Sequence, residues 1–244
     1  MLQAPQRTAF SGPALIRLLA RLADVDVPES GQSLSDRLSQ WLGWTDAIAL
    51  SSALSGKPPA VAVSARAFGS AEEEEFARAR AAMAKAIAGD SAFAVAGRRP
   101  PAQTAPADAP ADYAVFRQRY LSMQQTMETG IGALRSRLRA TLATQTPAMA
   151  RLAVVDAVME RALGERERTL LATVPGLLAG HFERLRKAEA RTLASDEGVV
   201  QDAAAATPGA WLDAFRNDMR SVLLAELEVR LQPVEGLLAA LRTR

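Results

Sequence analysis

Nine apolar residues recur between positions 113 and 142 at the pitch of an α-helix: Tyr113, Phe116, Tyr120, Met123, Met127, Ile131, Leu134, Leu138 and Leu142. Their mean step is about 3.6 residues, the period of a straight amphipathic helix rather than the 3.5 of a long coiled coil. A stripe sustained over roughly eight turns needs neighbours of similar length to cover it. It therefore predicts an all-α protein with no substantial sheet, built on a long helix over residues 113–143. Gly130 and Gly132 weaken the middle of that helix by about 1 kcal/mol each relative to alanine. They leave room for a bend or for close approach of a neighbour.

The residues that follow supply partners of the required length. Thr146 caps and Pro147 opens a second helix, whose apolar stripe is Met149, Leu152, Val155, Met159 and Leu163. Val174, Pro175 and Gly176 interrupt the pattern, and Leu177, Leu178, Phe182 and Leu185 resume it. A loop follows around 195–209, with a short turn at 199–206. A last helix spans about 208–241. Its apolar side carries Trp211, Phe215, Met219, Val222, Leu223, Glu226 and Val229, and Pro233 should bend it. Residues 112–244 thus read as a C-terminal antiparallel bundle of long helices.

Residues 1–88 read as a smaller N-terminal helical module. Ser11 caps a first helix, Pro13 sits in its first turn, and Phe10 staples onto Leu15. Leu15, Leu18, Leu19 and Leu22 form its apolar face. The turn-rich residues 24–31 should fold it back as a hairpin against the stretch 33–54. That stretch reads as one helix, capped by Ser33 with Asp36 and stopped by Gly56 and the prolines beyond. Its first apolar stripe is Leu34, Leu38, Trp41, Leu42, Thr45 and Ile48. A second face holds Gly43, Ala47, Leu50, Ser51 and Leu54, with Gly43, Ala47 and Ser51 forming a ladder of small residues. A helix apolar on both faces has to lie between other elements or against a partner. The candidate interaction residues are therefore Trp41, Gly43, Trp44, Ala47, Leu50 and Leu54. Beyond it, 57–70 reads as a loop with a helical turn near 61–67. Ser70 begins a further helix, where Glu72, Glu73, Glu74 and Glu75 read as a solvated start favoured by the helix dipole. Residues 89–111, rich in Pro, Ala and Gly, read as a flexible linker.

The composition excludes several chemistries. The chain has no cysteine, so disulfides, thiolate metal sites and cysteine nucleophiles are ruled out, and a reducing cytoplasm is the expected compartment. His181 is the one histidine, which argues against an imidazole metal centre. No secretory leader and no run of about 18 apolar residues is found, so no membrane-spanning helix is expected. The tripeptide Gly89-Asp90-Ser91 lacks the strand and base of an esterase motif, and Gly130-Ile131-Gly132 lacks the strand and third glycine of a dinucleotide loop. No catalytic, metal-binding or cofactor-binding residues are assigned, and no cofactor is expected. One basic segment stands out: Arg117, Arg119, Arg135, Arg137 and Arg139 against the single acid Glu128. Such a helix is a candidate for nucleic-acid binding, although few aromatics interleave with it.

The block LSDRLSQWLGWTDAIALSSAL at 34–54 resembles the opening of a proteobacterial family of unknown function, and the resemblance extends over most of the chain. That family has no assigned activity, so no residue roles carry over. The resemblance implies an accessory of a cell-envelope complex, since its members are encoded near motor-type proton-channel and peptidoglycan-binding proteins. Peripheral association with a membrane complex is the corresponding expectation. The reading that follows is a non-catalytic interaction or scaffold protein, joined to a protein partner or to copies of itself. A nucleic-acid-associated helical protein and an uncharacterised enzyme are the alternatives.

Overall fold

A computed structural model describes residues 13–27, 31–56, 70–93, 111–196 and 209–242. Among them are eight α-helices and one 3-10 turn: α1 (Ala14–Ala23), α2 (Leu34–Trp41), α3 (Trp44–Ser55), α4 (Ser70–Ala88), the turn Ser91–Phe93, α5 (Tyr113–Ala143), α6 (Pro147–Leu171), α7 (Val174–Asp196) and α8 (Ala210–Arg242). No strand occurs among the described residues, and the fold is all-α. The expected N-cap Ser11, its staple Phe10, the turns at 61–67 and 199–206, and most of the expected linker lie outside the described residues.

Helix α8 is the axis of the structure. It lies against α5, α7, α4, α1 and the 3-10 turn. Its residues Phe215, Met219, Val222, Leu223, Leu227, Leu231 and Val234 are completely covered. Residues spaced three and four apart face one side of a helix, yet these seven wrap more than one side because neighbours approach α8 from several directions. The stripe of α5 is buried as its period predicts, from Phe116 to Leu142, with Tyr113 half-buried at its start. Asp112 caps α5 by accepting from the Ala114 N–H at 2.8 Å. Thr146 caps α6 by accepting from the Met149 N–H at 3.2 Å. At one end Tyr113, Phe116, Phe182, Trp211 and Phe215 stack edge-on and tilted, with ring centroids 5.0–6.1 Å apart. Helix α8 continues through Pro233, whose missing N–H removes one ladder bond.

Several expectations need correction. The stretch 33–54 is two helices, because Leu42 and Gly43 are extended (ψ 122° and 163°) and end the first before the second begins. Helix α1 does not form a hairpin with it; α1 packs on α7 and α8. Arg184 donates to the Leu22 carbonyl at the end of α1, and Arg21 reaches Asp218 of α8 at 3.4 Å. The N-terminal helices therefore share the core of the long helices: Leu15, Leu22 and Ile87 belong to one apolar cluster with α5, α7 and α8. The beginning of the expected linker is also part of that core. Phe93 is fully buried, and Asp90, itself 5% exposed, pairs with Arg119 of α5. In α6 the covered positions are Ala150, Ala153, Val158 and Leu171, while Leu152 is 36% exposed, so the buried stripe is rotated from the expected one. Met149, Val155, Met159 and Leu163 of the expected stripe are half-buried.

The glutamate run is not simply solvated. Glu73 accepts from Arg242 of α8 at 2.7 Å, and Glu75 lies 2.5 Å from Arg137 of α5. With the two-pronged Arg80–Glu228 pair at 2.6 and 3.1 Å, these contacts tie α4 across two long helices.

Candidate interaction surface

The candidate surface is built by α2, the Leu42–Gly43 break and α3. Ser33 and Asp36 start α2 with reciprocal bonds: the Ser33 hydroxyl accepts from the Asp36 N–H at 3.1 Å, and Asp36 accepts from the Ser33 N–H at 3.3 Å. Gly43 begins α3 without a side-chain cap, and Asp46 stands in the first turn, where its charge suits the helix dipole. Glycine is tolerated at the N-cap, so Gly43 can start a helix although it offers no side-chain bond.

Helix α3 is held from one side by α6. The half-buried residues Asp46, Ala49, Leu50 and Ala53 recur at helical spacing and form its attached face. Arg166 of α6 stacks over the Trp41 ring with its guanidinium carbon 4.6 Å from the centroid. Arg161 approaches Asp46 at 3.9 Å, and Arg151 donates to the Gly56 carbonyl at 3.1 Å. These three contacts descend α6 as they ascend α2 and α3, so α3 runs antiparallel to α6.

The opposite face is uncovered among the described residues. Trp44 is 82% exposed, Leu34 71%, Leu54 55% and Ile48 52%. Gly43 and Ala47 are exposed, and neither α2 nor α3 has a buried residue. Trp41 and Leu50 are half-buried. A shallow groove of about 450 Å³ runs along α3, lined by Leu42, Ala47, Leu50, Ser51, Leu54 and Ser55. Expected to lie between other elements or against a partner, α3 is held by α6 on one side. Leu34 and Ile48, expected within a core stripe, are exposed, because the break at Leu42–Gly43 divides that stripe between two helices.

The other candidate chemistries are absorbed by the fold. Of the five arginines on α5, Arg119 pairs with Asp90 and Arg137 with Glu75, while Arg135 and Arg139 both reach Asp156 and Glu160 of α6. His181 lies 2.9 Å from Asp218, the carboxylate that Arg21 also reaches, so one acid joins α1, α7 and α8. A cleft of about 350 Å³ between α5, α6 and α8 contains three glutamates, each opposite an arginine: Glu160 with Arg135 at 3.6 Å, Glu128 with Arg168 at 3.6 Å and Glu167 with Arg230 at 3.7 Å. Among the described residues no cluster of three or more acids and histidines is arranged to hold a metal. No helix among them is long and apolar enough to cross a membrane.

One polar constellation was not anticipated. Glu226, on the apolar side of α8, is completely buried. It accepts from the Tyr120 hydroxyl at 2.7 Å, from the Gln124 amide at 3.0 Å on both oxygens, and from Arg230 at 2.9 Å. Gln124 also donates to the Leu171 carbonyl at 3.1 Å, which brings the end of α6 into the same network. Burial, followed by the charge of Glu226, pushes the Tyr120 hydroxyl well above its ordinary value. The signal in the sequence was a glutamate on an apolar helix face, but two of its partners, Tyr120 and Gln124, come from α5 and only the fold supplies them.

A family described as protein of unknown function (DUF3348) matches residues 1–243. No curated protein and no solved structure matches the chain.

Proposed function

The chain belongs to the DUF3348 family of unknown function, and on that premise we propose that it is a non-catalytic interaction protein that docks a protein partner on the exposed face of α2 and α3. The observation that carries this reading is Trp44. It is the one exposed aromatic among the described residues, whereas the other described rings are buried or half-buried. Among the described residues this ring is left in water, with Leu34, Ile48 and Leu54. Covering a side chain of this kind is worth roughly 1.5–3 kcal/mol, and large apolar patches on a surface mark sites of association. The charged groups elsewhere support the same reading, since ion pairs join α5 to α6 and α8 to α4 and α6.

As part of this proposal the protein acts in the cytoplasm, as an accessory of an envelope complex. The absence of cysteine suits a reducing compartment. Affinity capture from the native cells tests the reading, comparing the wild-type chain with a Trp44→Glu/Leu54→Glu variant. A partner held by the first and lost by the second is expected. Equal recovery by both contradicts the assignment of this face.

A further inference from the structure

Taking the α3 face as a docking surface, as proposed above, we infer that its occupant is a second copy of this chain, packed antiparallel about a twofold axis level with Ala49. At 3.6 residues per turn Trp44, Ala47, Ser51 and Leu54 fall on one stripe, pointing away from the face that α6 covers. Along the axis their order is large, small, small, large. Positions 44 and 54 are equidistant from 49, and so are 47 and 51. A twofold operation there lays Trp44 over the copy's Leu54 and Ala47 over the copy's Ser51. The small pair allows the helix axes to approach, and the large pair closes over both ends. Each indole would then enter the groove beside Leu54 and Ser55, which is open and apolar. An isologous interface has to be complementary to itself in this way.

Charge and area are consistent with the same occupant. A surface that meets its own copy brings like charges together wherever it is charged. This stripe carries none, and Asp46, the one charge on α3, faces Arg161 of α6 instead. The antiparallel arrangement also opposes the two helix dipoles. Covering the exposed parts of Trp44, Ile48, Leu54 and the small residues between them on both copies removes on the order of 1,000 Å², the lower bound for a specific interface.

The test combines light scattering with cross-linking, made clean by the absence of native cysteine. Wild-type protein at micromolar concentration should show twice the 26.0 kDa chain mass. Trp44→Glu should weaken association at least roughly tenfold, with an unchanged helical spectrum, and with an unchanged melting temperature once both proteins are diluted to the monomer. Ala47→Cys/Ser51→Cys should form a disulfide-linked dimer on oxidation, whereas Thr45→Cys/Ser52→Cys, on the flank of the helix, should not. A wild-type chain that stays monomeric overturns the inference. So does a dimer that is indifferent to Trp44→Glu, or one that cross-links equally through both cysteine pairs. A monomeric chain that nevertheless captures a different protein through Trp44 overturns self-association alone and leaves the docking surface standing.

Discussion

At Glu226 the bundle takes a carboxylate fully out of water and surrounds it with donors from α5 and from its own helix. Removing one member of a buried charged network leaves the others desolvated and unpaired. Glu226→Ala should therefore cost about 3–5 kcal/mol in denaturant unfolding, and a cost below about 1 kcal/mol would refute the network's role. Tyr120→Phe removes one donor and should cost less, about 1–2 kcal/mol. The chain has two tyrosines, and both hydroxyls are held in the neutral form. Burial pushes Tyr113 up to about 12, against a lowering by Arg117, and Tyr120 moves in the same direction. A folded value raised above the unfolded one contributes stability that is complete below the unfolded value and is lost above it. Stability should therefore be insensitive to these groups below about pH 10 and fall from there through about pH 12. A spectroscopic titration should show tyrosinate appearing together with unfolding; ionisation at ordinary values in the folded protein would contradict this. The Glu226 position was legible as an anomaly on an apolar face, and Arg230 four residues on lies within helical reach, but Tyr120 and Gln124 lie 106 and 102 residues away and no spacing rule reaches them.

The helices divide by how their apolar residues are used. In α5 the 3.6-residue period translated directly into a buried stripe, since long neighbours flank its full length. In α6 the same kind of pattern misled, because the helix lies between α5 and α3 and is covered from two sides. The block at 34–54 was legible as apolar on two faces and as the candidate surface. The break at Leu42–Gly43 was signalled only by a glycine and by Asp46 three residues later, a weak cue within an apolar run. Trp44→Ala should change stability by less than about 0.5 kcal/mol, as exposed substitutions do, while Phe215→Ala, from the covered aromatic cluster, should cost about 3–5 kcal/mol. Thermal melts of the two variants check the contrast at a concentration where the chain is monomeric. Asp156→Ala should also destabilise measurably, by about 1–3 kcal/mol, since it leaves Arg135 and Arg139 on α5 sharing only Glu160.

Across the whole molecule α1 and α4 to α8 share one apolar cluster, with Leu15 and Leu22 of α1, Ile87 of α4 and Phe93 of the 3-10 turn set among residues of the long helices. The expected separation into an N-terminal module and a bundle rested on the composition of 89–111, which records where few residues can be buried but not which side of the break they pack against. Denaturant unfolding of the full chain should accordingly follow one transition when monitored by helicity and by near-ultraviolet signal. A fragment starting at residue 112 should be less stable, since it lacks the cover that α1, α4 and Phe93 give to α8. Against that shared core, α2 and α3 stand out as helices that contribute no buried residue of their own. The central claim is that their outer face is where this protein meets another. A photo-activated cross-linking residue placed at Trp44, and in a parallel variant at the exposed Val115 of α5 (62% exposed), tests it inside the native cells. The account predicts a discrete protein adduct from position 44 and none from position 115; adducts of equal yield from both positions, or none from position 44, would contradict it.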